Sequence, residues 1–374
     1  MENAFSGFSA RLIDWMRQAA SLQVGNSAEA EFNALAVELF ALQYQHNHAF
    51  QRICRSRKIS SVKSWSEFPF IPSAAFKELE LTSIPEGTRS AVFHSSGTTA
   101  QTPSRHYHCA ESLRLYEAAL LNWFARHFWG PADLRYLFLT PGKAAAPNSS
   151  LVHMFETIAN ANPGARAQFA GRVDKDGAWQ LELDRSIGFL AEAQSAGTPA
   201  ALFGTAFNFV HLLDELNRRG ERLQLPAGSC IMETGGYKGR SRAIPKSDLH
   251  TWMRDTFGLE PDQILCEYGM SELSSQAYDR VIGKAPADRT GAPGVFHFPP
   301  WVKLQLMSPE TGEKVEEGEI GIIRVFDLAN VYSVAAIQTE DLGVHRGEGF
   351  ELVGRATDSE ARGCSLMSSE EHCQ

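Results

Sequence analysis

The sequence predicts an α/β protein in which a largely parallel sheet is layered with helices and joined to a small β-rich subdomain. Two observations predict it. Between about residues 134 and 269, short apolar runs alternate with helix-length segments, the pattern of buried parallel strands linked by crossover helices. Near Gly291 the pattern changes to alternating apolar and polar residues around a Gly- and Glu-rich turn, which indicates an antiparallel hairpin.

Taken in order, the first eighty or so residues read as helical. In Ser27–Ile53, Phe32, Leu35, Val37, Leu39, Leu42 and Tyr44 recur at helical spacing, with Ser27 placed as an N-terminal cap and Glu29 and Glu31 just inside. The Pro-punctuated stretch 68–77 leads into a short helix. A strand over 90–94 is followed by the hydroxyl-rich "HSSGTTAQTPSRHYH" and a strong helix over 110–129. Strands are predicted at 134–140, 199–205, 228–234 and 263–269, and helices at 150–160, 206–220 and 245–257. Residues 301–328 read as the hairpin. The expected organisation is a helical region over 1–85 packed on the core, an α/β core over 86–290, a β-rich subdomain over 291–353 and a short tail over 354–374.

Composition narrows the function. A chain of 374 residues with 43% hydrophobic and 21% charged residues is long enough for a sizeable core and too apolar for a disordered class. The net charge of −9 argues against nucleic acid as the main partner, because binding a polyanion needs a broad basic surface. No apolar run approaches the roughly 18 residues of a membrane span, and the start lacks the pattern of a secretory signal. Cysteines at 54, 109, 230, 266, 364 and 373 show no C-x-x-C spacing, so a cytoplasmic protein with free thiols is expected.

The hydroxyl-rich segment carries the first chemistry. Ser95, Ser96, Thr98 and Thr99 surround Gly97, and such a loop supplies amides and hydroxyls to phosphate oxygens, although Walker A spacing is absent. In "EYGMSEL", at the end of a predicted buried strand, Tyr268 suits a base, Ser271 a phosphate and Glu272 a magnesium ion. Asp341 in "QTEDLG" suits ribose hydroxyls, and Arg355 in "GRATD" could reach the same nucleotide. Each also has a plainer reading: a loop, a core tyrosine, a turn aspartate, a surface ion pair. His106 and His108 alternatively suggest a metal pair, without a further ligand set in view.

The order of these motifs, SSGTT, then "ETGGYKGRS", YGMSE, TEDLG and GR-x-x-D, resembles the adenylate-forming superfamily of acyl-CoA synthetases, peptide-synthetase adenylation domains and luciferases. The "HSSGTT" loop, the "FPFIPSAAFK" approach and the ending after "SEARGCSL" are similar to its acyl-protein synthetases, over residues 68–366. The resemblance implies the adenylate-forming large-domain fold, and ATP and Mg2+ as cofactors. It implies ATP-phosphate contacts from Ser95, Ser96, Gly97, Thr98 and Thr99, with Arg105 in place of the usual loop lysine. Gly235, Gly236 and Tyr268 would lie against adenine, Ser271 near phosphate, Glu272 on magnesium, and Asp341 and Arg355 on ribose. Cys364 in "RGCSL" matches the acyl-carrying cysteine, with Arg362 two residues away to favour its thiolate. His153 weakly matches a position near the carboxylate.

The sequence departs from the superfamily in two places. Eight residues follow Leu366, so the C-terminal lid domain and its lysine are expected to be essentially absent, with Lys238 a candidate replacement. Glu340 stands where glycine is common. The expected activity is ATP-dependent formation of a fatty acyl-AMP, then transfer to Cys364 as a thioester for an acyl reductase, with an acyl transferase as another possible partner. Two alternatives stand beside it. One is a ligase passing the acyl group to coenzyme A, a carrier protein or an amine; the other is a non-catalytic nucleotide-binding subunit.

Overall fold

Helices α1 (Glu2–Ala19), α2 (Asn26–His46) and α3 (His48–Ser56) open the chain. The computed structural model describes residues 2–19, 26–95, 102–128, 130, 131, 133–235, 244–284 and 294–356. The single helix predicted over 27–53 is broken at Asn47. The buried stripe of α2 runs through Phe32, Ala36, Leu39, Phe40 and Gln43 to Asn47, so its last two members are polar. Gln43 donates to Asn330 O (2.8 Å) and accepts from Ala335 N (3.2 Å). Asn47 Nδ2 donates to Ser333 O (3.2 Å), while its Oδ1 accepts from Phe50 N (3.0 Å) as the cap of α3. Buried amides need partners. Asn47 satisfies both ends of its side chain by ending one helix and starting the next.

A short strand β1 (Ile71–Pro72) and a one-turn helix α4 (Ala75–Glu78) follow. Strands β2 (Ala91–His94) and β3 (Arg105–His108) form an antiparallel pair that leads into α5 (Ala110–His127). Strand β3 lies inside the segment whose composition reads as a loop. It alternates, with His106 and His108 buried and Arg105 and Tyr107 half-exposed.

Next come β4 (Arg135–Phe138), α6 (Ser150–Ala161), β5 (Ala167–Phe169), the hairpin β6 (Gly171–Val173) and β7 (Trp179–Leu181), and α7 (Leu183–Ala196). Then β8 (Ala200–Thr205), α8 (Ala206–Arg219), β9 (Cys230–Thr234), α9 (Lys246–Phe257), β10 (Ile264–Tyr268) and β11 (Ala277–Tyr278) complete the α/β part. Six of these strands make one sheet in the order β11-β10-β9-β8-β4-β5, parallel except for β11. One face packs on α7, α8 and α9 through Leu202, Phe209, Ile231, Met253 and Ile264. The other packs on α5 and α6 through Tyr116, Leu120, Phe155, Phe203 and Met232. Strands buried on both faces account for the continuous apolar runs in the sequence.

The predicted hairpin is present as β12 (Val302–Met307) and β13 (Ile320–Asp327), extended by β14 (Ala336–Arg346) and β15 (Gly349–Arg355). Strand β1 pairs in parallel with β14 at Ile71↔Ile337, so the N-terminal region contributes to this second sheet. The N-terminal helices share one core with it, in which Phe68 meets Phe326 edge-on at 4.7 Å. No helix among the described residues is long and apolar enough to cross a membrane.

Asn47→Ala removes a buried cap and leaves Ser333 O without that donor. We expect a loss of about 1–3 kcal/mol, read as a lower denaturant midpoint with unchanged slope; an unchanged midpoint rules out the capping role.

Candidate active site

The parallel strands β9 and β10 run side by side, with Cys266 opposite Glu233 and Glu267 opposite Thr234. Their C-terminal ends therefore deliver Gly235 and Tyr268 to the same edge of the sheet, where open α/β sheets bind ligands. Gly235 adopts φ +66°, a left-handed turn that other residues enter at a cost. After Tyr268 the chain doubles back into β11. The turn is tight: a Cβ on Gly269 would collide with Glu267 Oε1.

Two groups of expected site residues meet at this turn. In the first, Ser95 Oγ accepts from Ser104 N (3.0 Å), Ser104 Oγ lies 3.5 Å from Ser271 Oγ, and Ser271 Oγ donates to Glu272 Oε2 (3.0 Å). His106 Nδ1 is 2.9 Å from Ser271 O, which ties the β2–β3 hairpin to the turn. In the second group, Tyr268 Oη donates to Asp341 Oδ2 (2.9 Å), and Arg355 Nε lies 3.8 Å from Asp341 Oδ1. Asp341 and Arg355 are register partners on β14 and β15. Burial, then the negative charges of Asp341 and Glu272, raise the Tyr268 hydroxyl well above its ordinary pKa, so both groups act on one ring.

Burial also raises the Glu272 carboxyl, the Glu340 charge adds to this, and hydrogen bonds from Ser104 and Ser271 oppose it. Burial likewise raises Asp341, against Tyr268 and Arg355. A buried carboxylate held by two hydroxyls and a backbone N–H, with a second carboxylate nearby, offers oxygen donors suited to a hard divalent cation such as magnesium.

Arg105 stands apart from these residues. Its Nη2 donates to Lys77 O (3.3 Å), and it occupies the opposite parity of β3 from His106. Ser96, Gly97, Thr98, Thr99, Gly236, Lys238 and Cys364 lie outside the described residues. His106 and His108 are buried with ring centroids 4.3 Å apart, and burial lowers both pKa values, His106 to about 4. They are neutral hydrogen-bonding groups, His108 on Ser112 Oγ (3.2 Å). His153 is buried with Nε2 3.0 Å from Glu117 Oε1.

The structure adds residues that the motifs do not reveal. Glu267, just before Tyr268, is buried on the α5 side beside Thr234, and burial lifts its carboxyl to about 7. On the opposite face of the same strands, Cys266 Sγ is 3.3 Å from Glu233 Oε2 and 3.6 Å from His250 Nε2. These three could hold a metal, but the Lys246 ammonium already supplies positive charge there. Burial disfavours that ammonium, yet its acidic neighbours Cys266, Glu233 and Asp279, with Cys266 also hydrogen-bonded to it, outweigh this and raise its pKa. Burial keeps Cys266 a thiol, well above its ordinary pKa. The signal for this cluster is spatial, since its members are 17 and 16 residues apart in sequence.

The turn itself is held by Asp327. Its Oδ2 accepts from Ser274 N (3.0 Å) and its Oδ1 from Ser275 Oγ (2.8 Å) and Ala329 N (2.9 Å). Asn330 Nδ2 donates to Glu272 O (2.8 Å), and Trp301 Nε1 donates to Ser275 Oγ (3.0 Å).

Comparison with known proteins gives the family and the fold. Residues 9–373 match the family described as "Acyl-protein synthetase, LuxE". The chain belongs to the acyl-protein synthetase family. It is similar to the long-chain-fatty-acid–luciferin-component ligase of Aliivibrio fischeri, with 23% identity over 350 residues, 89% of this chain and 86% of the relative. The ligase of the same name from Vibrio harveyi is 20% identical over 343 residues, 88% and 85% of the two chains. Among solved structures, a 2-hydroxyisobutyryl-CoA ligase in complex with 2-HIB-AMP and CoA superposes with TM-score 0.64 at 14% identity, covering 89% of this chain and 69% of that one. An ATP-bound RpMatB-BxBclM chimera gives TM-score 0.50 at 17% identity, over 74% and 50%. The fold is that of the adenylate-forming ligases, and as an acyl-protein synthetase the chain is a ligase.

Burial raises the Asp327 carboxyl to about 6, above the ordinary 3.9 or so of an unfolded aspartate. The folded synthetase therefore binds more protons than the unfolded chain between about pH 4 and pH 6, and this group's contribution to stability falls as pH rises through that window. Asp327→Asn should remove that part of the slope and cost about 1–3 kcal/mol at pH 7, because an amide N–H would face Ser274 N–H. Identical pH–stability curves for the two proteins contradict this.

Proposed function

We propose that this acyl-protein synthetase activates a long-chain fatty acid as its acyl adenylate and then carries the acyl group on Cys364 for delivery to an acyl reductase. One observation carries the reading: the Ser95–Ser271–Glu272 group and the Tyr268–Asp341–Arg355 group adjoin at the C-terminal end of the parallel strands. The first group suits phosphates and a cation, the second a ribose. The names of the bacterial relatives support a long-chain fatty acid as substrate.

In the first step a carboxylate oxygen attacks the α-phosphorus of ATP, a new C–O–P linkage forms, and pyrophosphate leaves with the electrons of the broken P–O bond. Charge grows on phosphate oxygens in that transition state, so prepositioned hydroxyls and amides stabilise it more than the ground state. Ser95 and Ser271 are the described hydroxyls of this cradle; Ser96, Gly97, Thr98 and Thr99 complete it in this reading. Glu272 would hold magnesium, which supplies neutralising charge to the phosphates. Asp341, kept in place by Tyr268, orients the ribose with Arg355, and Gly235 and Gly236 let the adenine approach the backbone. Lys238 is the cation assigned to the α-phosphate. Arg105 would have to leave Lys77 O to reach a phosphate. In the second step the Cys364 thiolate attacks the acyl carbon, the thioester bond forms, and AMP departs with the electrons of the anhydride C–O bond.

The test uses the purified protein with ATP, magnesium and radiolabelled tetradecanoic acid. Label should become bound to protein and be released by hydroxylamine, and Cys364→Ser should lose the label while retaining fatty-acid-dependent pyrophosphate exchange. Full labelling of Cys364→Ser removes the cysteine from the reading. Adenylate formation without labelled protein, and turnover only on adding coenzyme A or an amine, points to a diffusible acceptor. Glu272→Gln should lower pyrophosphate exchange by about 100-fold or more, the usual size of losing one transition-state electrostatic group. Undiminished exchange contradicts the cation-holding role.

A further inference from the structure

The second sheet and the N-terminal segment packed on it enclose a cleft that the proposed chemistry does not use. Its volume is about 590 Å³, and it lies between that sheet and the segment following α3. Gln305 on β12 is the register partner of Arg324 on β13, Arg324 that of Gln338 on β14, and Gln338 that of Pro72 on β1. The cleft floor is therefore one cross-strand row, and Arg57, the C-cap of α3, joins it from above. Phe68 and Phe70 form an apolar wall.

The charges are the telling feature. Arg57 and Arg324 repel each other, and this, after burial, lowers the pKa of Arg324. Among the described residues, the cleft lining contains no carboxylate. Among the described residues neither arginine forms an ion pair, whereas arginines elsewhere in the fold commonly do. Arg57 Nη1 donates to Phe70 O (3.3 Å), and Arg324 Nε donates to Gln338 Oε1 (2.8 Å) with its guanidinium 5.4 Å from the Phe70 ring centroid. Because Gln338 accepts through its oxygen, its NH2 is turned to the other side of the amide as a donor. Arg57 is exposed and Arg324 partly buried, so the like charge of Arg57 beside the partly desolvated Arg324 is unfavourable for Arg324, and an anionic ligand would relieve it.

We propose that this cleft binds a phosphate monoester with an apolar body. Such a group carries close to two negative charges at neutral pH, which matches the two guanidiniums; a carboxylate supplies only one. Its three terminal oxygens can accept from both arginines and from the Gln305 and Gln338 amides at once, and guanidinium forks suit phosphate geometry. The ester substituent would lie against Phe68 and Phe70. The site is separate from the adenylation site, but its floor includes Gln338, three residues before Asp341 on β14. A ligand here touches the strand that carries the ribose aspartate.

Calorimetric titration of the full chain with hexyl phosphate tests this, with hexanol and hexanoate as controls and a saturating non-hydrolysable ATP analogue present to block the nucleotide site. Hexyl phosphate should bind, and hexanol and hexanoate should bind at least about tenfold more weakly. Arg57→Gln with Arg324→Gln should abolish binding. Gln305→Glu, which adds a carboxylate to the floor and leaves both arginines in place, should weaken it by about tenfold or more, with unchanged pyrophosphate exchange showing that the fold is intact. The proposal is overturned by absence of hexyl phosphate binding, by equal affinity for hexanoate, by equal affinity of the Gln305→Glu variant, or by loss of the site when the ATP analogue is added.

Discussion

The buried carboxylate of Asp327 is the constraint on which the candidate site depends. It ends β13 in one sheet and accepts hydrogen bonds from Ser274 and Ser275, which follow the Tyr268–Glu272 turn of the other. Asn330, three residues on, donates to Glu272 O and accepts from Ser274 Oγ, while its own carbonyl accepts from Gln43 of α2. Two sheets and the N-terminal helices thus meet in one buried hydrogen-bonded network. Every bond in it has a direction and a length, so it sets a register that apolar packing alone would leave adjustable. The Tyr268–Asp341 contact, which crosses between the same two sheets, inherits its geometry from that register.

This arrangement is electrostatically expensive. Glu267, Glu272, Asp327 and Asp341 are all pushed above the usual carboxyl range, with burial the largest cause each time. Proteins seldom gather buried acids without counter-charge unless a bound cation or a reaction makes use of them. Asp327 is balanced by hydrogen-bond donors and has a structural role. Glu272 has hydrogen-bond donors but no ion pair among the described residues, and Glu340 adds to its difficulty, which is the condition a divalent cation relieves. Beside β14 the charge then changes sign, from Asp341 on the strand itself to Arg324 of β13 and Arg57 in the cleft next to Gln338. One strand therefore borders two candidate sites of opposite electrostatic character.

Parallel strands and their helices were legible in the sequence because burial on both faces leaves unbroken apolar runs, as at 199–205 and 228–234, and because Gly220 marks a helix end. Strand β3 was not, since His106, Tyr107 and His108 look polar or aromatic until the buried histidines are seen to hydrogen-bond Ser271 and Ser112. Helix α7 gave no clear period, because small and polar residues such as Ser186 and Ala193 sit in its buried face. The break at Asn47 was hidden for a related reason: the same residue reads as helical until its tertiary partner Ser333 is known.

The order of short motifs, by itself, determined the superfamily expected and singled out Ser95, Tyr268, Ser271, Glu272, Asp341 and Arg355 as candidate site residues. Such motifs are local, and local residue type reports what chemistry a segment can perform. Only the tertiary structure decided which of them meet. It joined Ser95 to Glu272 through Ser104, gave Asp341 to Tyr268, turned Arg105 toward Lys77, and gathered Glu233, Lys246, His250 and Cys266 beneath the same strands. The reason is that proximity across strands depends on register and on the face each side chain takes, and both are set by the whole core rather than by any one segment.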